Sequence, residues 1–154
     1  MTGPAECYLC RAVSRVEAAS VVFENDRVVG LVAQFPIADG HALVVPKEHC
    51  SSLNQLDERV GQEMFRQAHR LAQCLREISR PSSLQLVMND IVEGTHRPEL
   101  FHVHLHVIPE LCAVSAAKGV SIAEAALTRR HVLDRLAIQM RDKYASRFGM
   151  TEVQ

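Results

Sequence analysis

The stretch FHVHLHVIP, residues 101–109, is the most informative part of this sequence. Side chains alternate between the two faces of a β-strand, so His102, His104 and His106 are predicted to share one face. The residues between them, Val103, Leu105 and Val107, are aliphatic and suited to packing in a core. Neighbours on one face of a strand lie ~6.6 Å apart, given a rise of ~3.3 Å per residue. That spacing lets three imidazoles line one pocket, each with a different role.

The three histidines have three explanations. A half-exposed strand that carries histidines by chance explains one histidine well, but not three in strict alternation. A metal site is the second explanation, because imidazole is a common metal ligand. Three ligands on one strand converge poorly, since His102 and His106 are two strand-steps apart. A nucleophile with helper groups therefore fits the pattern better.

The sequence before this stretch predicts four further strands and one long helix. Two β-branched runs separated by Asn25-Asp26-Arg27 predict a hairpin. Apolar residues at steps of three and four from Asp57 to Ser79 predict an amphipathic helix, which Arg80-Pro81 ends. The predicted strands are Val21–Glu24, Val28–Ala33, Ala42–Val45, Leu84–Met88 and, after a polar loop, Leu100–Ile108.

A second amphipathic helix is predicted over residues 121–148, where Ser121 and Glu124 form a capping box. The predicted element order is β-β-β-α-β-β-α. A mostly antiparallel sheet of about five strands with helices on one face is the simplest α+β arrangement of these elements. We therefore expect a single α+β domain over residues 1–154.

Composition narrows the functional class. The 154 residues carry a formal net charge of −1 and are 47% hydrophobic, which is typical of an ordinary globular domain. Lysine and arginine are scattered, which argues against a nucleic-acid partner. We expect no membrane association, because the start of the chain does not resemble a signal peptide and no apolar run approaches ~18 residues. Five cysteines without export signals indicate reduced thiols and a cytoplasmic location.

The triad stretch resembles the His-φ-His-φ-His-φ-φ signature of the histidine-triad (HIT) family, where φ is apolar. Gly40 to His49, GHALVVPKEH, is similar to the family's glycine-histidine strand and Pro-Lys-x-His motif, and the resemblance spans about residues 7–110. It implies a nucleotide-binding α+β fold, commonly a homodimer, with His104 as nucleophile. His106 and Asn89 would contact the phosphate. His41 and Lys47 are further candidates for substrate contact, with a structural or solvated role as the alternative.

Cys7 and Cys10 form a Cys-x₂-Cys pair near the start of the chain. Two ligands do not complete a tetrahedral metal site, and a redox motif would need a βαβ context that is not predicted here. In some HIT proteins this pair completes a zinc site, and the positions that match the two remaining ligands are His49 and His102. The resemblance thus implies a structural zinc ion, with a metal-free thiol pair as the alternative.

Several positions depart from the family pattern. Ala33 stands where the family often has an acidic or amide residue that holds the ribose hydroxyls. Arg97-Pro98-Glu99 replaces a stretch that commonly carries glycine and glutamine aimed at the leaving group. The loop after Asn89 is longer, and Glu110 replaces a frequent arginine. These changes bear on the choice of substrate and leave the nucleophile in place.

The resemblance implies a nucleotide hydrolase or nucleotidyl transferase that breaks a phosphoanhydride or phosphoramidate bond at the α-phosphate through a nucleotidyl-histidine intermediate. A dinucleoside polyphosphate hydrolase or phosphorylase is the alternative within the enzymes. A zinc-stabilised nucleotide-binding module with little turnover is the alternative outside them. The sequence does not specify the base, the leaving group, the acceptor or the pathway.

Overall fold

The predicted α+β architecture is present in a computed structural model of the chain, which describes residues 5–90, 101–109 and 130–149. Five strands form one antiparallel sheet, and three helices pack on it. In chain order the elements are α1 (Tyr8–Val13), β1 (Val21–Glu24), β2 (Val28–Val32), β3 (Ala42–Pro46), α2 (Glu58–Ile78), β4 (Leu84–Met88), β5 (Leu105–Pro109) and α3 (Arg130–Phe148).

The strands are arranged in the order β1-β2-β3-β5-β4, with every neighbouring pair antiparallel. The predicted hairpin joins β1 to β2, because the Asn25 side chain accepts hydrogen bonds from the backbone N–H groups of Arg27 and Val28, each at 2.9 Å. The turn before β3 needs a glycine at Gly40. Its φ is +90°, and a Cβ atom there would lie 2.9 Å from the Leu75 side chain.

Helices α2 and α3 cover one face of the sheet. Helix α2 begins after Asp57, whose carboxylate accepts from the N–H groups of Arg59 and Val60, and it occupies nearly the whole predicted range. Helix α3 lies within the predicted range, whose first part, residues 121–129 with its capping box, is outside the described residues. Residues from β3, from β5 and the segment just before it, and from both helices share one apolar core, which includes Val44, Val103, Leu105, Val107, Met64, Leu71, Leu133 and Met140.

The opposite face of the sheet carries a second apolar cluster and the additional helix α1. Leu31, Leu43 and Val45 pack there against α1 residues such as Leu9 and Ala12. Six residues are too few to give a clear helical period in the sequence, so this helix was not predicted. No helix in the described residues combines the length and the apolar character needed to cross a bilayer.

Strand β5 begins later than the sequence predicted. The ladder between β3 and β5 runs from Ala42–Val107 to Val44–Leu105, so His106 lies in the strand and His102 and His104 precede it. The chain before Leu105 turns to another partner, since the backbone N–H of Val103 donates to the carbonyl of Cys50 at 2.8 Å. Alternation still sends Val103, Leu105 and Val107 into the helix-side core, as predicted.

Candidate functional site

The candidate site lies on the α1 side of the sheet, around strand β5. His106 pairs in register with Leu43 of β3 on one side and with Val87 of β4 on the other. Leu43 belongs to the apolar cluster beneath α1, so His106 projects from the face that α2 and α3 leave free. Seven of the sequence-predicted site residues, including His106 itself, lie here in two groups.

The first group, here called the metal cluster, consists of Cys7, Cys10, His49 and His102. One ligand atom from each residue lies within 4.8 Å of all the others. The closest approaches are 3.2 Å from Cys10 Sγ to His49 Nδ1 and 3.4 Å from Cys10 Sγ to His102 Nδ1. Cys7 Sγ lies 3.7 Å from His102 Nδ1. Four residues from three separate segments therefore converge on one point.

The geometry of the metal cluster fits a tetrahedral zinc ion. Zn–S and Zn–N bonds of about 2.3 and 2.0–2.1 Å place sulfur and nitrogen ligands ~3.6 Å apart at a tetrahedral angle. The three separations above, 3.2–3.7 Å, bracket that value. His102 Nε2–H donates to the carbonyl oxygen of Pro46 at 3.0 Å, which leaves its Nδ1 lone pair directed to the cluster. The donor set is Cys₂His₂, which is a closed structural type.

The local structure around Cys7 and Cys10 suits their thiols to metal binding. Cys7 is the N-cap of helix α1, and its sulfur accepts from the backbone N–H of Cys10 at 3.4 Å. Burial, followed by the neighbouring Cys7, raises the pKa of Cys10 to about 12. A thiolate is the form that binds metal, and the charge of a bound cation stabilises that form. The cluster is therefore suited to a dication rather than to two free thiolates.

The second group contains His104, His106 and His41. His104 is half-buried, and its Nδ1–H donates to the carbonyl oxygen of His102 at 2.6 Å. Burial lowers the pKa of His104, although that hydrogen bond opposes the shift. The His104 and His106 rings are in edge contact, with centroids 4.5 Å apart. The hydrogen bond to the main chain leaves Nε2 of His104 as the nitrogen with a free lone pair.

His106 and His41 form a buried pair, here called the histidine dyad. His106 Nδ1 lies 2.9 Å from His41 Nε2, and the backbone N–H of Ile37 donates to His41 Nδ1 at 3.3 Å. Burial, with a contribution from His104, lowers the pKa of His41 to about 4. Burial also lowers the pKa of His106 to about 3, with contributions from His104 and His41. Both rings are therefore neutral at pH 7.

The remaining predicted residues lie at the edges of this arrangement. Asn89 is exposed and follows Met88, which pairs with Leu105, so continuing the antiparallel register by one residue places Asn89 opposite His104. Lys47 is directed away from the histidines, because its amine forms an ion pair with Glu24 at 2.7 Å. Ala33 is buried beside His41, whose carbonyl accepts from the Ala33 N–H at 2.9 Å. The stretch 97–99 and Glu110 are outside the described residues.

The structure adds three main-chain groups that the sequence did not reveal. They are the carbonyls of Pro46 and His102 and the N–H of Ile37, and each holds one histidine ring. Every residue type carries a main-chain carbonyl, and every type except proline carries an N–H, so no sequence pattern marks these groups. Their positions depend on where strand β5 begins and on the turn before β3.

Comparison with known proteins agrees with this geometry. The HIT domain family model matches residues 14–111. An uncharacterised HIT-like protein of Mycoplasma genitalium is 32% identical over 105 residues, which cover 68% of this chain and 72% of that protein. A zinc-bound histidine triad family protein from Mycobacterium smegmatis aligns with a TM-score of 0.72 at 23% identity, over 94% of this chain and 96% of that chain. The diadenosine triphosphate hydrolase of Plasmodium falciparum aligns with a TM-score of 0.66 at 15% identity, over 85% and 79%.

Proposed function

This chain belongs to the HIT family, and from that premise we propose that it is a nucleotide hydrolase or nucleotidyl transferase that acts at an α-phosphate through a nucleotidyl-histidine intermediate on His104. The observation that carries the proposal is the hydrogen bond from His104 Nδ1–H to the carbonyl of His102. It fixes the ring orientation and leaves Nε2 with a lone pair, which is the form an attacking imidazole needs.

The reaction has two displacements at one phosphorus atom. The His104 Nε2 lone pair forms an N–P bond, and the bond from phosphorus to the leaving oxygen or nitrogen breaks, with its electron pair going to the leaving group. In the second step a water oxygen forms an O–P bond and the water gives up a proton to the solvent, while the N–P bond breaks and Nε2 recovers its lone pair. A transferase uses an acceptor hydroxyl or phosphate in place of water. The protein contributes to catalysis mainly by positioning the reacting groups and by stabilising the developing charge.

His106 and Asn89 are the residues that we propose contact the phosphoryl oxygens. The His106 ring is next to the His104 ring, and Asn89 follows β4 at the register position opposite His104. Hydrogen-bond donors in these places would stabilise the charge that develops on the phosphoryl group. His41 lies behind His106, with its Nε2 atom 2.9 Å from Nδ1 of His106.

We further propose that the metal cluster holds one zinc ion as a structural staple. When bound, the ion cross-links the N-terminal segment to the 49–50 loop and to the segment before β5. With four protein ligands it would have no open position for substrate, so Cys7, Cys10, His49 and His102 act by holding the fold. The described thiols, among them the buried Cys50 and Cys74, are free. A reducing compartment such as the cytoplasm suits them.

A second copy of the chain is the partner that we propose for strand β4. This strand lies at an edge of the sheet, its residues are half-buried or exposed, and Leu86 is 39% exposed. An unpaired edge with an apolar residue is a liability that natural proteins usually cover. Pairing β4 with its equivalent in a second copy would cover both edges and form a homodimer.

Two other functions are tested by the same experiment. The P. falciparum hydrolase supports a dinucleoside polyphosphate substrate, because its fold is shared with this chain. The departures at Ala33 and at residues 97–99 support a nucleotide-binding module with little turnover. The substrate panel then distinguishes between classes of leaving group.

The test is a search for the covalent adduct. The protein is mixed with a nucleoside phosphoramidate, an acyl-adenylate and a dinucleoside polyphosphate, each in a separate reaction. It is then quenched in alkali, where the N–P bond survives, and examined by intact and peptide mass spectrometry. Wild type should gain one nucleotidyl group on His104. His104→Ala should lose the adduct and about a thousandfold or more of the turnover while still binding nucleotide. His69→Ala, which changes an exposed histidine of α2, is the matched control and should react normally.

Each outcome separates the candidates. Adduct and turnover with the dinucleoside polyphosphate alone would assign the narrower hydrolase or phosphorylase function. Nucleotide binding by wild type with neither adduct nor turnover would favour the binding module. Near-normal turnover by His104→Ala would show that the proposed mechanism is wrong.

A further inference from the structure

Both ring nitrogens of the buried residue His41 are already bonded within the protein, so neither is left to contact a substrate. Its side chain is 1% exposed, and both ring nitrogens already have protein partners. Nδ1 is 3.3 Å from the backbone nitrogen of Ile37, and Nε2 is 2.9 Å from Nδ1 of His106. His106 is itself only 3% exposed, so the two rings form a buried chain that starts at the main chain of the 33–41 turn.

The direction of this chain of hydrogen bonds follows from its first member. A backbone N–H can only donate, so Nδ1 of His41 must accept and carries no proton. The single proton of a neutral His41 is then on Nε2, where it donates to Nδ1 of His106. His106 must accept there, and its own proton is consequently on Nε2. Burial keeps both rings neutral by lowering their pKa values to about 4 and about 3, so neither ring gains a second proton at pH 7.

The tautomer determines what His106 offers to a ligand. Within the described parts of the chain no protein group accepts from Nε2 of His106, so that N–H is available to a bound molecule. As a donor it attracts an anionic oxygen, whereas the opposite tautomer would present a lone pair and repel it. The ring lies against that of His104, so the donor is next to the nucleophile.

We propose that His41 is a positioning residue that fixes His106 in the Nε2–H tautomer, through the hydrogen bonds Ile37 N–H to His41 Nδ1 and His41 Nε2–H to His106 Nδ1. The catalytic part of this proposal rests on the proposed function, because it takes the anion beside His104 to be a phosphoryl group. The structural part, which concerns the proton on His106, does not depend on any reaction.

The proton position is tested directly in the free protein. Long-range ¹H–¹⁵N spectra of ¹⁵N-labelled wild type at neutral pH distinguish a protonated from an unprotonated ring nitrogen, and the His106 signals are assigned by their loss in His106→Gln. The expected result is a protonated Nε2 and an unprotonated Nδ1 for His106, and the same tautomer for His41. A protonated Nδ1 on His106 would overturn the proposal without any variant of His41.

Two substitutions at His41 then test the cause. His41→Phe keeps a ring but removes the donor, so His106 should lose its preference for the Nε2–H tautomer. His41→Gln keeps an N–H near the position of Nε2 and should restore it. Circular dichroism and thermal unfolding establish that both variants are folded. If His41→Phe does not fold, the wild-type and His41→Gln spectra still decide the proposal, because His41→Gln must retain the wild-type tautomer of His106.

Activity gives an independent readout. We expect His41→Phe to lower kcat by about a hundredfold or more, as when one donor to a developing negative charge is removed. KM should change less, and His41→Gln should recover most of kcat. An unchanged tautomer and kcat in folded His41→Phe would overturn the proposal. If no His104 adduct forms in any protein but the His106 tautomer depends on the donor as described, the proposed function fails and the structural part of this inference stands.

Discussion

Mild acid should destabilise this protein through the histidine dyad. Burial lowers the pKa of His41 to about 4 and of His106 to about 3, from an ordinary value of 6.5. Between the folded and unfolded pKa values the unfolded chain binds protons that the folded chain does not. The free energy of unfolding therefore falls as the pH falls below about 6.5, and the dyad adds no further loss once the pH is below the folded values. The stability that depends on the neutral rings is fully present only above the unfolded pKa.

The size of this loss between about pH 7.5 and about pH 5.5 depends only on proton binding by the unfolded chain. Between about pH 7.5 and about pH 5.5, proton binding to one unfolded histidine with a pKa of 6.5 shifts the unfolding equilibrium about tenfold towards the unfolded state. A tenfold shift corresponds to about 1.4 kcal/mol. The folded rings remain neutral throughout this window. The dyad therefore accounts for a loss of about 3 kcal/mol, a large fraction of the about 5–15 kcal/mol by which domains are stable.

Urea unfolding followed by circular dichroism at the two pH values measures this loss. The double variant His41→Gln/His106→Gln should show a loss that is smaller by about 3 kcal/mol than that of wild type. The control, His69→Gln/His131→Gln, changes two exposed histidines and should keep the wild-type loss. All three proteins are measured with saturating zinc, so that the metal ligands contribute equally to the pH-dependent loss of stability in each. Equal losses in wild type and the dyad variant would refute the reasoning.

Two further predictions concern the metal cluster and the core. Purified protein should carry about one zinc per chain, and a chelator or Cys7→Ser/Cys10→Ser should lower its Tm; metal analysis that finds no zinc in protein prepared without chelator would rule this out. Gly30→Ala should destabilise the fold by about 1–3 kcal/mol, because the added Cβ would lie 2.1 Å from the buried Phe23 ring. Gly61→Ala, in helix α2, should stabilise by about 0.5–1 kcal/mol, because the added Cβ would lie an ordinary 3.5 Å from its nearest neighbour, the Leu56 side chain. Equal effects of the two substitutions in urea titrations would contradict the packing argument.

The elements that sequence predicted well are those whose signals are local. The hairpin at Asn25 and the helix that begins after Asp57 each have a side chain that bonds the main chain within three residues, and such bonds leave a sequence pattern. Helix α1 was missed because six residues span less than two turns. Strand β5 was predicted to begin too early. The backbone N–H of Val103 donates to the carbonyl of Cys50, 53 residues earlier in the chain, and not to a neighbouring strand, and the local sequence does not reveal so distant a partner.

The candidate site shows the same division between local pattern and distant contact. Alternation in residues 101–109 indicated three histidines at one site, but the pattern is identical for all three and assigns no roles. The structure separates them by main-chain and side-chain partners. His102 donates to the carbonyl of Pro46 and directs its other nitrogen to the metal cluster, while His104 donates to the carbonyl of His102 from Nδ1 and so has its lone pair on Nε2. His106 instead accepts from Nε2–H of His41 at its Nδ1 atom.

These partners link the metal cluster to the proposed nucleophile through a single residue. The His102 ring belongs to the metal cluster, while its carbonyl oxygen holds His104 at 2.6 Å. A ligand ring fixed in the cluster also restricts the backbone that carries it, so the direction of this carbonyl depends on the cluster being intact. The metal cluster and the nucleophile are thus two ends of one three-residue segment. A zinc ion held here as a structural staple would stabilise the fold and, through the same residue, orient the imidazole that we propose attacks phosphorus.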